Sequence, residues 1–104
     1  ASAQAPEGEK LFKRVCAVCH TAEPGVNKVG PTLAGVVGRK AGTVEGYNYS
    51  PAIKDSGIEW TPENLSKFIE NPKEFLPGNK MVYAGLKDEA KRTALIDYLK
   101  TTGQ

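Results

Sequence analysis

The residue types that carry most protein chemistry are scarce in this chain of 104 residues: it holds two cysteines, one histidine, one methionine and one tryptophan. Two cysteines allow at most one internal disulfide, and no second histidine can share the work of the first. No run of about 18 or more apolar residues occurs, which excludes a transmembrane helix. No basic segment leads into an apolar stretch, so no uncleaved signal peptide is present, and the small polar start "ASAQAPEGEK" suits a mature terminus left by cleavage. Neither sign of charge dominates: 14 Lys and Arg face 12 Asp and Glu, a formal net charge of +2, too balanced for a nucleic-acid binder. Only 39% of residues are hydrophobic, and a domain of this size buries a limited share of its surface. Something besides side chains is expected to supply core.

Turn formers, by contrast, are plentiful, with 11 glycines and 7 prolines. The length predicts a single domain over 1–104, with residues 1–5 and 101–104 expected to fray. A helix is predicted over 6–15, with Pro6 and Glu7 in its first turn and Gly8, Leu11, Phe12 and Val15 on one face. A second covers 61–70: Thr61 caps it, Pro62 takes the first helical position, Asn71-Pro72 stops it, and Leu65, Phe68 and Ile69 form its apolar face. A third covers 88–100, opened by Asp88 and Glu89, with Ala94, Leu95, Tyr98 and Leu99 along one side. Between His20 and Trp60 no helical or strand period persists, only turn-rich segments such as "GRKAGTVEGYNYSP". So long a loop is unusual in a compact domain, unless it wraps a large apolar cofactor.

Both cysteines stand immediately before the histidine, in "CAVCH" at 16–20. A redox-active dithiol needs a βαβ setting, and no strand pattern surrounds Cys16 and Cys19. A structural zinc site needs four ligands, usually from two separated pairs, and this chain offers three, all local. The remaining reading is C-x-x-C-H, the attachment signature of haem c: both thiols form thioethers with the vinyl groups, and His20 meets the iron from one face. The sixth position then needs another ligand. Met81 lies in "LPGNKMVYAG", where Pro77 and Gly78 shape a loop, so its thioether is free of a packing helix and suits the iron.

With these residues in place, the chain resembles a class I c-type cytochrome, close to the mitochondrial pattern and its bacterial relatives. The resemblance covers roughly residues 7–100 and rests on "CAVCHT", "KVGPTLAGVVGRKAG", "GYNYS", "GIEWT", "IENPKEFLPGNKMVYAGL" and "LIDYLK". It implies an all-α fold in which N- and C-terminal helices cross and long loops wrap one covalently attached haem c. Gly8 and Phe12 would meet Leu95 and Tyr98 at that crossing. The Pro31 carbonyl would accept from the second ring nitrogen of His20, and Arg39, Tyr49 and Trp60 would surround the haem propionates. Lys13, Arg14, Lys28, Lys73, Lys80 and Lys87 match a basic ring at the haem edge that docks partners, with Glu74, Asp88 and Glu89 weakening it.

The sequence departs from mitochondrial relatives at Phe68 for tyrosine, Ile53 for asparagine, Asn27 for histidine and Asn79 for threonine, which tips the reading toward a bacterial source. The resemblance implies a soluble, monomeric one-electron carrier that is not an enzyme. It would be periplasmic, with the mitochondrial intermembrane space as the alternative. Its donor would be a membrane quinol-oxidising cytochrome complex. The exchange partner would be a terminal oxidase, a photosynthetic reaction centre or a periplasmic dehydrogenase. The competing class, a small peroxidase or gas-binding module, needs an open sixth position and a distal proton-handling group, which Met81 would block and the lone histidine cannot provide.

Overall fold

The apolar spacing at 8, 11, 12 and 15 produces the helix it predicts, though of two kinds. α1 spans Ala5–Leu11 and runs directly into a π-helical turn, Phe12–Cys16, where the Ala17 N–H reaches back to the Phe12 carbonyl at 2.9 Å. The helix expected over 6–15 thus widens after Leu11. Phe12 is held against Tyr98, ring centroids 5.5 Å apart, while Cys16 is held by the turn that follows; the wider coil takes up the mismatch. This computed structural model describes residues 5–17, 19–28, 30–44, 46–79 and 83–102. Lys80 and Met81 therefore lie outside the described residues, as do 1–4 and 103–104 at the ends expected to fray.

Most of the predicted loop region is irregular. It contains one turn of helix, α2 (Pro51–Lys54), too short to have left a period in the sequence. The helix predicted over 61–70 is α3 (Pro62–Glu70), and the Thr61 hydroxyl caps it by accepting from the Asn64 N–H at 3.1 Å. Asn71 ends α3 and at once caps a short α4 (Pro72–Phe75), its side chain accepting from the Glu74 N–H at 3.3 Å. The last helix, α5 (Glu89–Leu99), is capped by Asp88, which accepts from the Lys91 N–H at 3.2 Å. Among the described residues there is no strand, only an antiparallel bridge between Lys40 and Glu59.

α1 crosses α5 at close range because Gly8 has no side chain. A Cβ on Gly8 would stand 2.7 Å from both the Ala94 carbonyl carbon and the Tyr98 Cβ. α5 is buried more widely than the single predicted face: besides Ala94, Leu95 and Leu99, it buries Ile96 and Arg92, because α3 packs on it as well. Leu65, Phe68 and Ile69 of α3 join this core with Leu11 and Phe12. After α5, the Thr102 hydroxyl donates to the Leu99 carbonyl at 2.7 Å and accepts from the Gly35 N–H at 3.2 Å.

Candidate haem-binding site

The π turn delivers the chain to the cysteine–histidine motif, which closes on itself. The N–H groups of Cys19 and His20 both donate to the Cys16 carbonyl, at 3.1 and 2.9 Å. Cys16 and Cys19 are half-buried and carry no disulfide, so both sulfurs are available for thioether bonds. Burial, with Cys19 beside it, pushes the Cys16 thiol up to about 11, so it stays neutral near pH 7.

Nδ1 of His20 donates to the Pro31 carbonyl at 2.8 Å. That bond assigns the proton to Nδ1 and leaves the Nε2 lone pair for a metal. Burial lowers the pKa of His20 below its ordinary value, the Pro31 bond opposes this, and the Arg39 charge adds to the lowering. The imidazole is thus neutral, as ligation requires. Gly30 supports it from the next residue. A Cβ on Gly30 would stand 2.6 Å from Nδ1 and 2.8 Å from Nε2, so the backbone itself forms the wall against the ring. The Gly30 N–H donates to the Cys19 carbonyl at 2.6 Å, tying that wall to the motif. The intervening loop is pinned by hydroxyls: Thr21 donates to the Val26 carbonyl at 2.6 Å and Thr32 to the Glu23 carbonyl at 2.7 Å. Asn27 accepts from the Thr32 N–H at 2.9 Å.

Arg39 and Trp60 are brought together by the backbone around the Lys40–Glu59 bridge. The Trp60 N–H donates to the Arg39 carbonyl at 2.8 Å, and the Ala41 N–H to Ile58 at 2.7 Å. Trp60 is buried and tilts against Phe68, centroids 5.1 Å apart; Phe68 in turn meets Phe75 edge-on at 6.3 Å. Phe68, where the resemblance implies tyrosine, therefore sits between two aromatic rings. Tyr49 accepts from the Val44 N–H at 3.0 Å, which leaves its own proton to donate, and burial raises its pKa.

Among the described residues, two buried side-chain polar atoms have no hydrogen-bond partner: Nε of Arg39 and Oγ of Ser50. Such groups are rare in native interiors because each leaves a desolvation cost uncompensated. Ser50 stands at the N-cap of α2, yet its side chain makes no capping bond. A guanidinium N–H and a hydroxyl left over beside Trp60 and Tyr49 fit a bound group that carries carboxylates. The two thiols, the neutral imidazole and the Gly30 wall fit the same group, haem c. Ser50 and Gly30 carry no local sequence signal that would mark them: Ser50 only ends "GYNYS", and Gly30 is one glycine among eleven.

The basic residues are less uniform than their spacing suggests. Lys13 pairs with Glu9 at 3.6 Å, and the Lys28 ammonium donates to the Ala17 carbonyl at 2.6 Å. Lys87 is tied to the Glu70 carbonyl, the last of α3, at 2.6 Å. Arg14, in the π turn, and Lys73, on α4, are exposed.

The family model described as "Cytochrome c" matches residues 5–103. A cytochrome c2 from Rhodopila globiformis is 54% identical over 95 residues, covering 91% of this chain and 90% of that protein. A cytochrome c from Gibberella zeae is 53% identical over 95 residues, with 90% of each covered. The solved cytochrome cH from Methylobacterium extorquens superimposes with a TM-score of 0.88 at 45% identity, over 94% of this chain and 98% of that one. An all-α chain built around this thiol, imidazole and donor set, and matched over nearly its whole length, belongs to the cytochrome c family, whose members are class I electron carriers with covalently bound haem c.

Proposed function

We propose that this chain shuttles single electrons through a haem c bound by Cys16 and Cys19, with His20 and Met81 as axial ligands, and that it is a carrier rather than an enzyme. The observation that carries the reading is the His20–Pro31 hydrogen bond of 2.8 Å backed by Gly30, which aims the only imidazole of the chain with Nε2 unprotonated. Haem c supplies the one-electron couple of its iron. The chain's residues hold that group still. Pro31 and Gly30 fix the imidazole plane, while Arg39, Ser50, Tyr49 and Trp60 offer donors to its carboxylates. Met81 would hold the iron together with His20, leaving no position for a substrate. A soft thioether favours the ferrous state and sets a fairly positive potential.

The partners in this reading are a membrane quinol-oxidising cytochrome complex as donor and a terminal oxidase, photosynthetic reaction centre or periplasmic dehydrogenase as exchange partner. The location in this reading is the periplasm, with the mitochondrial intermembrane space as the alternative. Basic residues on segments beside the motif, Arg14 and Lys73 above all, would steer docking.

Two measurements test the proposal together. The denatured protein should have the mass of the polypeptide plus one haem that acid-acetone does not extract. Carbon monoxide should bind the reduced protein poorly at neutral pH and bind the Met81→Ala variant readily. An extractable haem, or a parent protein that takes up carbon monoxide as well as Met81→Ala does, would overturn it.

A further inference from the structure

Arg92 is 6% exposed, and among the described residues no carboxylate pairs with it. A buried guanidinium without a counter-ion is expensive unless neutral acceptors satisfy it. Here they do. Nη1 donates to the carbonyls of Leu86 and Lys87, at 3.0 and 2.9 Å, and Nε donates to the Ser66 hydroxyl at 3.0 Å. One side chain of α5 thus joins α3 to the segment before α5. Charge-assisted bonds of this kind are roughly twice as strong as neutral ones.

The clamped carbonyls follow Met81 by five and six residues. The same stretch is fastened to the end of α3 by two other bonds, Leu86 N–H to the Ile69 carbonyl at 2.8 Å and the Lys87 ammonium to the Glu70 carbonyl at 2.6 Å. Gly85, with φ +118, lies so close that a Cβ would stand 2.8 Å from the Glu70 carbonyl carbon. On the other side of Met81, the Asn79 amide donates to the Pro72 and Leu76 carbonyls at 2.8 and 2.7 Å. The described chain is therefore anchored on both sides of Met81, at Asn79 before it and at Leu86 and Lys87 after it, and among the described residues Arg92 is the buried charge in this anchorage.

We propose that Arg92 is a positioning residue for the sixth ligand: its fork fastens the chain beyond Met81 to α3 and α5 and so keeps the thioether from yielding to outside ligands. The inference rests on the reading of Met81 as that ligand. Lysine at 92 keeps the charge, but a single ammonium cannot reach one hydroxyl and two carbonyls in the same fork.

The test uses the ferric holoprotein and imidazole as the competing ligand, with Arg92→Lys, Arg92→Ala, Met81→Ala and a core control, Leu99→Ala. Both Arg92 variants should bind imidazole about tenfold more tightly and exchange the Leu86 amide about tenfold faster, as expected for loss of charged hydrogen bonds. Leu99→Ala, buried in α5 at 2% exposure, should lower global stability and change neither reading. If Arg92→Ala yields no holoprotein, Arg92→Lys carries the comparison. Unchanged imidazole affinity and amide exchange in the Arg92 variants, or equal increases in Leu99→Ala, overturn the proposal. If Met81→Ala fails to raise imidazole affinity, the ligand assignment has failed, and Leu86 exchange alone decides whether Arg92 clamps the segment.

Discussion

The backbone of Gly30 is packed against the imidazole of His20 so closely that a Cβ would stand 2.6 Å from Nδ1. Neighbouring bonds leave little freedom to retreat, since the Gly30 N–H is held by Cys19 and the Pro31 carbonyl by His20. Gly30→Ala should therefore turn the ring or push the loop away. The expected result is a lower yield of haem-bearing protein and a loss of about 1–3 kcal/mol in guanidinium unfolding. A variant with the parent's yield and midpoint would show that the loop gives way without cost.

The crossing of α1 and α5 makes the opposite prediction to helix propensity. On an exposed helix, glycine to alanine gains about 1 kcal/mol. Gly8→Ala should instead destabilise by about 1–3 kcal/mol, because the new Cβ meets Ala94 backbone rather than a side-chain tip that can swing aside. Denaturant midpoints of the two proteins decide the sign.

Arg39 should act on the iron, and Ser50 on the stability of the holoprotein. Arg39→Gln removes a positive charge that favours ferrous over ferric iron. The reduction potential should fall by on the order of 60 mV, equivalent for one electron to about 1.4 kcal/mol. Ser50→Ala removes an unpartnered buried hydroxyl, so it should destabilise the holoprotein only if that hydroxyl meets the bound group. Protein-film voltammetry and unfolding of the holoprotein read these two effects separately.

Surface charge should divide by tether. Arg14→Gln and Lys73→Gln should slow transfer to an acidic partner at low salt and leave stability nearly unchanged. Lys87→Gln should also lower stability, because its ammonium holds the Glu70 carbonyl. The differences should shrink between about 0.01 M and 0.1 M salt as the screening length falls from roughly 30 Å to 10 Å. Rates that do not depend on salt would remove Arg14 and Lys73 from the docking surface.

Tyr98 predicts how the helix crossing responds to alkali. Burial, with Glu9 nearby, raises its pKa above the ordinary value of 10.0. An acid whose folded pKa is raised contributes stability that is full below the unfolded value and is lost as pH rises toward the folded one. Stability should therefore decline above about pH 10, and Tyr98→Phe should lose less over that range. Equal alkaline losses in both proteins would assign the effect to other groups.

What the sequence by itself determined is what neighbouring residues decide among themselves. Thr61 and Asp88 cap their helices because the hydroxyl or carboxylate and the N–H it serves are three residues apart. Leu65, Phe68 and Ile69 fall on one face of α3 by period alone, and two thiols beside an imidazole carry their chemistry in any fold. Tertiary structure decided everything that depends on what arrives from far along the chain. Ser50 carries no local signal, yet its hydroxyl is buried without a partner among the described residues. Lys87 reads as one surface lysine among many, yet its ammonium closes α3. Nothing local marks Arg92, yet α3 and the segment after Met81 bury it. The difference is physical: a cap or a period is set by fixed local geometry, whereas whether a polar group is spent or left over depends on which distant backbone packs against it.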